Sequence, residues 1–197
     1  MKAQSQSSST LPIQYFENQK DWADWLTENH SSSPGLWLQL AKKSADVPSV
    51  SYDQALEVAL CFGWIDGQKQ AHSEPFWLQK FTRRSEKSVW SKINKDKALA
   101  LISAGKMKPA GLQEVERAKS DGRWDAAYDS ASKATVPGDL QSALDSNPRA
   151  RNFFGTLDSR SRYAILFRIQ TAKKAETRVQ KIAQFVQMLE RNEKVHS

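Results

Sequence analysis

The sequence predicts an α+β fold, a small antiparallel sheet with helices followed by a mainly helical C-terminal region. Three observations carry this. Alternating, strand-like segments are confined to residues 36–81. From Ser88 onward the apolar residues recur at helical spacing instead. Proline and glycine also punctuate that second part where helices start and stop.

Element by element, residues 1–10 are rich in Ser and Gln and lack an apolar leader core, which predicts a disordered tail. Asp21–Leu26 reads as a short helix with Trp22, Trp25 and Leu26 on one face, and Ser31–Gly35 breaks the chain. Leu36, Leu38 and Leu40 alternate with Trp37 and Gln39, a strand pattern. Ser51 and Gln54 suit a capping box for a helix carrying Ala55, Leu56, Ala59 and Leu60, with Gly63 as its stop. Two strands follow at Trp64–Lys69 and Phe76–Phe81, joined by a turn near Ser73–Pro75.

In the helical part, Asn94 caps a helix through Ala98–Ala104 that Gly105 ends, and Pro109 opens the next, which stops near Gly122. Arg123–Asp129 predicts a further short helix, and Pro137 and Pro148 suit the first turns of two more. Ser161–Thr171 and Glu176–Glu190 complete the set. The last carries an apolar stripe of Val179, Ile182, Ala183, Val186 and Leu189. The Ser130–Thr135 linker divides an α+β region, residues 11–130, from a helical region, residues 131–197.

Composition narrows the function. Hydrophobic content of 39% with seven Trp and eight Phe describes a globular protein. No run reaches the roughly 18 apolar residues of a membrane span, so no membrane insertion is expected. A single cysteine, Cys61, excludes an intrachain disulfide and a cysteine zinc cluster. With no leader, it points to the cytoplasm. Within its apolar run, Cys61 is more simply a small buried hydrophobe than a nucleophile. The net charge of +7 is concentrated: ten Lys/Arg stand against three Asp/Glu over residues 69–108, and eleven against four over 148–197. That asymmetry suits an anionic partner or a solvated face.

The densest group of unusual residues runs from Trp64 to Asn94. Asp66, flanked by Trp64, Ile65 and Gly67, is the best single acid, with a capping turn carboxylate as the plainer reading. Phe76, Trp77, Phe81 and Trp90 alternate with Lys80, Arg83, Arg84, Lys87 and Lys92. That mixture can stack bases and meet phosphates, or simply form a core with solvated cations. Arg83 and Arg84 also suit a small anionic ligand, because planar guanidinium forks match carboxylate or phosphate. Arg123, Trp124 and Tyr128 offer a second aromatic wall. His30, His72 and His196 show no metal-ligand spacing, and neither a phosphate-cradling glycine loop nor a nucleophile elbow is present.

Several passages together resemble the YdeI/OmpD-associated, or bacteriocin-protection, family. They are Leu60–Asp66 (LCFGWID), Phe81–Arg84 (FTRR), Val89–Asn94 (VWSKIN), Gly105–Gly111 (GKMKPAG), Asp121–Asp125 (DGRWD) and Ala172–Arg178 (AKKAETR). One departure is Thr82-Arg83, where that family usually carries a proline between Thr and the arginines. The resemblance implies a role in tolerating toxic peptides or envelope stress, with no agreed activity or catalytic residues. The family's name also implies a protein partner, an outer-membrane porin.

The sequence is therefore read as a cytoplasmic, non-enzymatic binding protein of that type, with no cofactor. An enzyme acting on a small anionic substrate is the alternative, and a nucleic-acid-binding protein a further one. The ligand-binding candidates are Trp64, Asp66, Arg83, Arg84, Trp90, Lys92, Asn94, Arg123 and Trp124.

Overall fold

A computed structural model describes residues 11–195. The expected tail over residues 1–10, and His196, lie outside the described residues. The chain divides into two compact units. The first runs to Ser88 and includes Asp96–Asp121, and the second takes Val89–Lys95 and everything from Gly122.

In the first unit, β1 (Ile13–Tyr15), α1 (Gln19–Asn29), β2 (Leu36–Ala41), α2 (Tyr52–Cys61), β3 (Trp64–Ala71) and β4 (Phe76–Arg83) succeed one another. The sheet order is β1-β2-β4-β3. The β2–β4 and β3–β4 pairs are antiparallel, but β1 adds a parallel edge, so the sheet is mixed. Three residues are too few to show alternation. Their parallel pairing needs a crossover between the strands, which α1 provides.

Leu36, Leu38 and Leu40 all point to the core and are at most 1% exposed. Each contributes about 2 kcal/mol on burial. Trp22 of α1 lies beside Trp64 and Phe81, and its indole donates to the Ala55 carbonyl of α2 at 3.0 Å. The capping box at Ser51 and Gln54 is formed. Past Asp66 the β3 register slips. The carbonyls of Gly67 and Gln68 at that slip accept from the buried Gln79 amide at 2.9 and 3.2 Å, so the bulge leaves them satisfied. Helix α3 (Lys92–Ser103) spans the division between units, and α4 (Pro109–Ser120) belongs to the first. Pro109 takes the first turn of α4, and Gly105 follows α3 at φ 66°.

The second unit is built from α5 (Gly138–Asp145), α6 (Pro148–Thr156), α7 (Ser159–Gln170) and α8 (Ala175–Glu190). Leu140, Leu144, Phe154, Ile165, Ile169, Ile182, Phe185 and Leu189 share its core. Asn147 and Asp158 cap α6 and α7 through Ala150 and Ser161 backbone N–H groups.

Four local expectations are corrected. Asn94 is not the cap of α3 but lies inside its first turn, where its backbone N–H donates to the Ser91 hydroxyl. Arg123–Asp129 is turns rather than helix, because Tyr128 is spent on strand-like bonds to Trp90 and Lys92. Pro137 is the N-cap of α5, one position ahead of the first turn. The buried stripe of α8 is Ile182, Phe185 and Leu189. Val179 is 66% exposed and Ala183 is exposed, since the core meets the adjacent row of the helix.

Candidate functional site

The first unit holds a cleft of about 620 Å³ where the end of α2, the end of β4 and one face of α4 meet. Two glycines make this possible. Gly63, at φ 73°, turns the chain from α2 into β3, and its carbonyl accepts from the Arg84 backbone at 3.0 Å. Gly111 lets α4 sit against the end of α2, where a Cβ would lie 2.3 Å from the Cys61 carbonyl oxygen. Lys108 N–H donates to that same carbonyl at 3.1 Å.

Three arginines line the cleft: Arg83, Arg84 and Arg117. Arg83 is exposed, and one terminal nitrogen donates to the Ser31 carbonyl at 2.8 Å. Arg84 is 5% exposed. Arg117 pairs with Glu114 one turn back on α4, and its buried Nε meets no hydrogen-bond partner among the described residues. Among the described residues Glu114 is the one carboxylate in the lining.

His30 completes the rim. Its Nδ1 lies 2.9 Å from the Leu26 carbonyl, which can only accept, so Nδ1 carries a hydrogen. The His30 carbonyl in turn accepts from the Trp64 indole at 3.0 Å. Trp64 is fully buried against Trp22 and Trp25, so it supports the cleft from behind. Asp66, two residues on, is half-buried and accepts from the Tyr52 hydroxyl at 2.8 Å, outside the cleft lining.

The remaining sequence candidates lie in the second unit. Trp90 and Trp124 are 2% and 6% exposed and meet edge to face at 4.8 Å. Lys92 pairs with Asp129 at 2.8 Å, and its hydrogen bond is the main cause holding the Asp129 carboxyl below its usual range. Arg123 is buried, and Asn94 lies in the first turn of α3, where its backbone donates to Ser91 Oγ at 3.1 Å. These indoles pack; they present no open ring face. Cys61 is buried too, and that burial raises its thiol above the ordinary value, away from thiolate chemistry.

The structure thus brings Arg83 and Arg84 together and adds two groups the sequence did not single out, His30 and Arg117. Arg117 carries only an i, i+3 relation to Glu114, which any exposed helix shows, so no local signal ties it to Arg83. Among the described residues no group of three or more His, Cys, Asp or Glu side chains gathers to hold a metal, and no helix is long and apolar enough to cross a membrane.

Compared with known families, residues 14–114 match the model of a domain of unknown function, DUF8412. Residues 133–192 match the model described as bacteriocin-protection, YdeI or OmpD-associated. No curated protein and no solved structure matches the chain.

Proposed function

Given that the chain belongs to the DUF8412 family and carries a bacteriocin-protection, YdeI or OmpD-associated segment, we propose that it is a non-enzymatic binding protein of that type. Its ligand is a small carboxylate or phosphate anion, and it acts in the cytoplasm in tolerance of toxic peptides or envelope stress. The observation that carries the anion reading is the convergence of Arg83, Arg84 and Arg117 on one cleft, with Glu114 as the single lining acid among the described residues. Guanidinium groups hold such anions through two parallel N–H donors, and a partly enclosed site screens them less than open water does.

The enzymatic alternative asks Asp66 to reach a substrate held by Arg83 and Arg84. Asp66 instead accepts from Tyr52 outside the cleft lining, which favours binding over turnover.

Thermal unfolding in the presence of phosphate, sulfate, malonate or succinate tests the anion reading. At least one should raise the melting temperature in a concentration-dependent way, since a ligand that binds only the folded state stabilises it. Arg83→Ala should abolish that rise. No rise with any of the four ends the anion reading. For the stress role, a strain lacking the gene should become more sensitive to cationic peptides, and unchanged sensitivity counts against it.

A further inference from the structure

A second groove, of about 680 Å³, lies at the far end of the same hairpin from the arginine cleft. The arginine cleft sits where Trp64 pairs with Arg83. This groove sits where Ala71 pairs with Trp77, seven residues along β3. At the rise of an extended strand that separation is roughly 20 Å. The volume falls within the range of small-molecule sites.

Trp77 forms one wall and differs from the indoles in the cores. It is only half-buried, and Lys69 lies over its ring with Nζ 4.3 Å from the centroid. The Tyr52 ring stands 6.2 Å away, tilted by 41°. Buried Leu40 lines the groove as well. The groove therefore pairs an aromatic surface with an apolar contact.

Its charge is one-sided. Lys42, Lys43 and Lys69 line it beside the ring of His72, and among the described residues Asp53 is the one acid against them. Asp53 is already engaged by Lys97 at 3.4 Å. Lys42 is engaged by Glu74, which is not part of the lining. Lys43 and His72 make no ion pair or hydrogen bond among the described residues, and Lys69 is committed only to the Trp77 ring. A ligand with a flat ring can take the place of the Lys69 ammonium on Trp77. The freed ammonium and Lys43 are then available to an anionic group on the same ligand.

We propose that this groove is a nucleotide site, taking a base against Trp77 and its phosphate among Lys43, Lys69 and His72. Aromatic side chains stack any base, and lysines meet phosphate as point charges. The same chemistry is offered by a free nucleotide and by one residue of a single strand, and the two differ in how affinity grows with length. The proposal rests on Trp77 and the lysines, independently of the arginine cleft.

Calorimetric titration of the full chain with adenosine monophosphate, adenosine, inorganic phosphate and an eight-residue oligothymidylate tests it at low salt. In the Arg83→Ala chain, whose arginine cleft no longer takes phosphate, the monophosphate should bind, with adenosine and phosphate each at least about tenfold weaker, because the groove uses both halves of the ligand. Lys43→Ala with Lys69→Ala should weaken the monophosphate about tenfold or more, and Trp77→Leu should do the same while circular dichroism confirms the fold. An oligonucleotide binding more than tenfold tighter than the monophosphate, with a steep salt dependence, identifies a single strand as the source; equal affinities identify the free nucleotide. The proposal is overturned if neither the monophosphate nor the oligonucleotide binds. It is equally overturned if, in the Arg83→Ala background, binding is lost or survives the double lysine substitution.

Discussion

The Tyr52 hydroxyl donates to an Asp66 carboxylate oxygen at 2.8 Å, tying the first turn of α2 to β3. A hydrogen bond to a charged group contributes more than a neutral one, but this pair is only part-buried. Tyr52→Phe should therefore cost about 1 kcal/mol. Asp66→Asn, which keeps an acceptor, should cost less. Urea unfolding of both single variants and the double variant measures the coupling directly, and additive losses would mean that the bond is not formed. Anion-induced stabilisation at the arginine cleft should be the same in all of them, because Asp66 is not in its lining.

Gly111 carries a heavier constraint. A Cβ there would stand 2.3 Å from the Cys61 carbonyl and 2.7 Å from that of Leu60, both backbone atoms that cannot swing away. Gly111→Ala should cost about 3 kcal/mol, at the upper end of overpacking losses. It should also blunt anion binding, since α4 supplies Arg117 and Glu114. Gly155 of α6 meets nothing within 4 Å and has no positive φ. Gly155→Ala should stabilise by about 0.5 kcal/mol through the unfolded chain. If the two substitutions cost the same, close approach of α4 to α2 is not what Gly111 provides.

These examples show what the sequence carries and what it does not. The capping box at Ser51 and Gln54, the stop at Gly63 and the alternation of Leu36, Leu38 and Leu40 are all local, so they could be read directly. The β1 edge could not, because its three residues are defined by a partner strand more than twenty positions away. Arg123–Asp129 has helical composition, yet its backbone pairs with Trp90 and Lys92, a long-range choice that propensity does not encode. The arginine cleft was half legible. Arg83 and Arg84 stand out as a pair, whereas Arg117 and His30 join them only through the packing of α4 and the end of α1.

Trp90 is the clearest case of an indole that looked presented and is packed. At 2% exposure and 4.8 Å from Trp124, it has no face to offer a base. Trp90→Ala should cost about 3–5 kcal/mol, and Trp90→Phe much less. Neither should change the salt dependence of any nucleic-acid binding that the folded protein shows. A stable, well-folded Trp90→Ala protein with a flattened salt slope would reverse this assignment.

Acid should act first on the second unit. Its Asp139 carboxyl lies below the usual range, chiefly through the Arg178 hydrogen bonds at 2.6 and 2.9 Å, with burial opposing. Asp129 is lowered in the same direction by Lys92, and Asp158 by the Ser161 backbone N–H at its helix cap. In each case the folded state favours the ionised carboxylate, so the unfolded chain takes up the proton first. The stabilisation is complete above the ordinary carboxylate range and is lost as pH falls through the lowered values. Helical circular dichroism followed by thermal melts should therefore show a falling melting temperature below about pH 4. Asp139→Asn cannot bind that proton, so it should start lower at neutral pH and fall less steeply with acid. Parallel curves for the two proteins would remove the Asp139–Arg178 pair from the account of acid sensitivity.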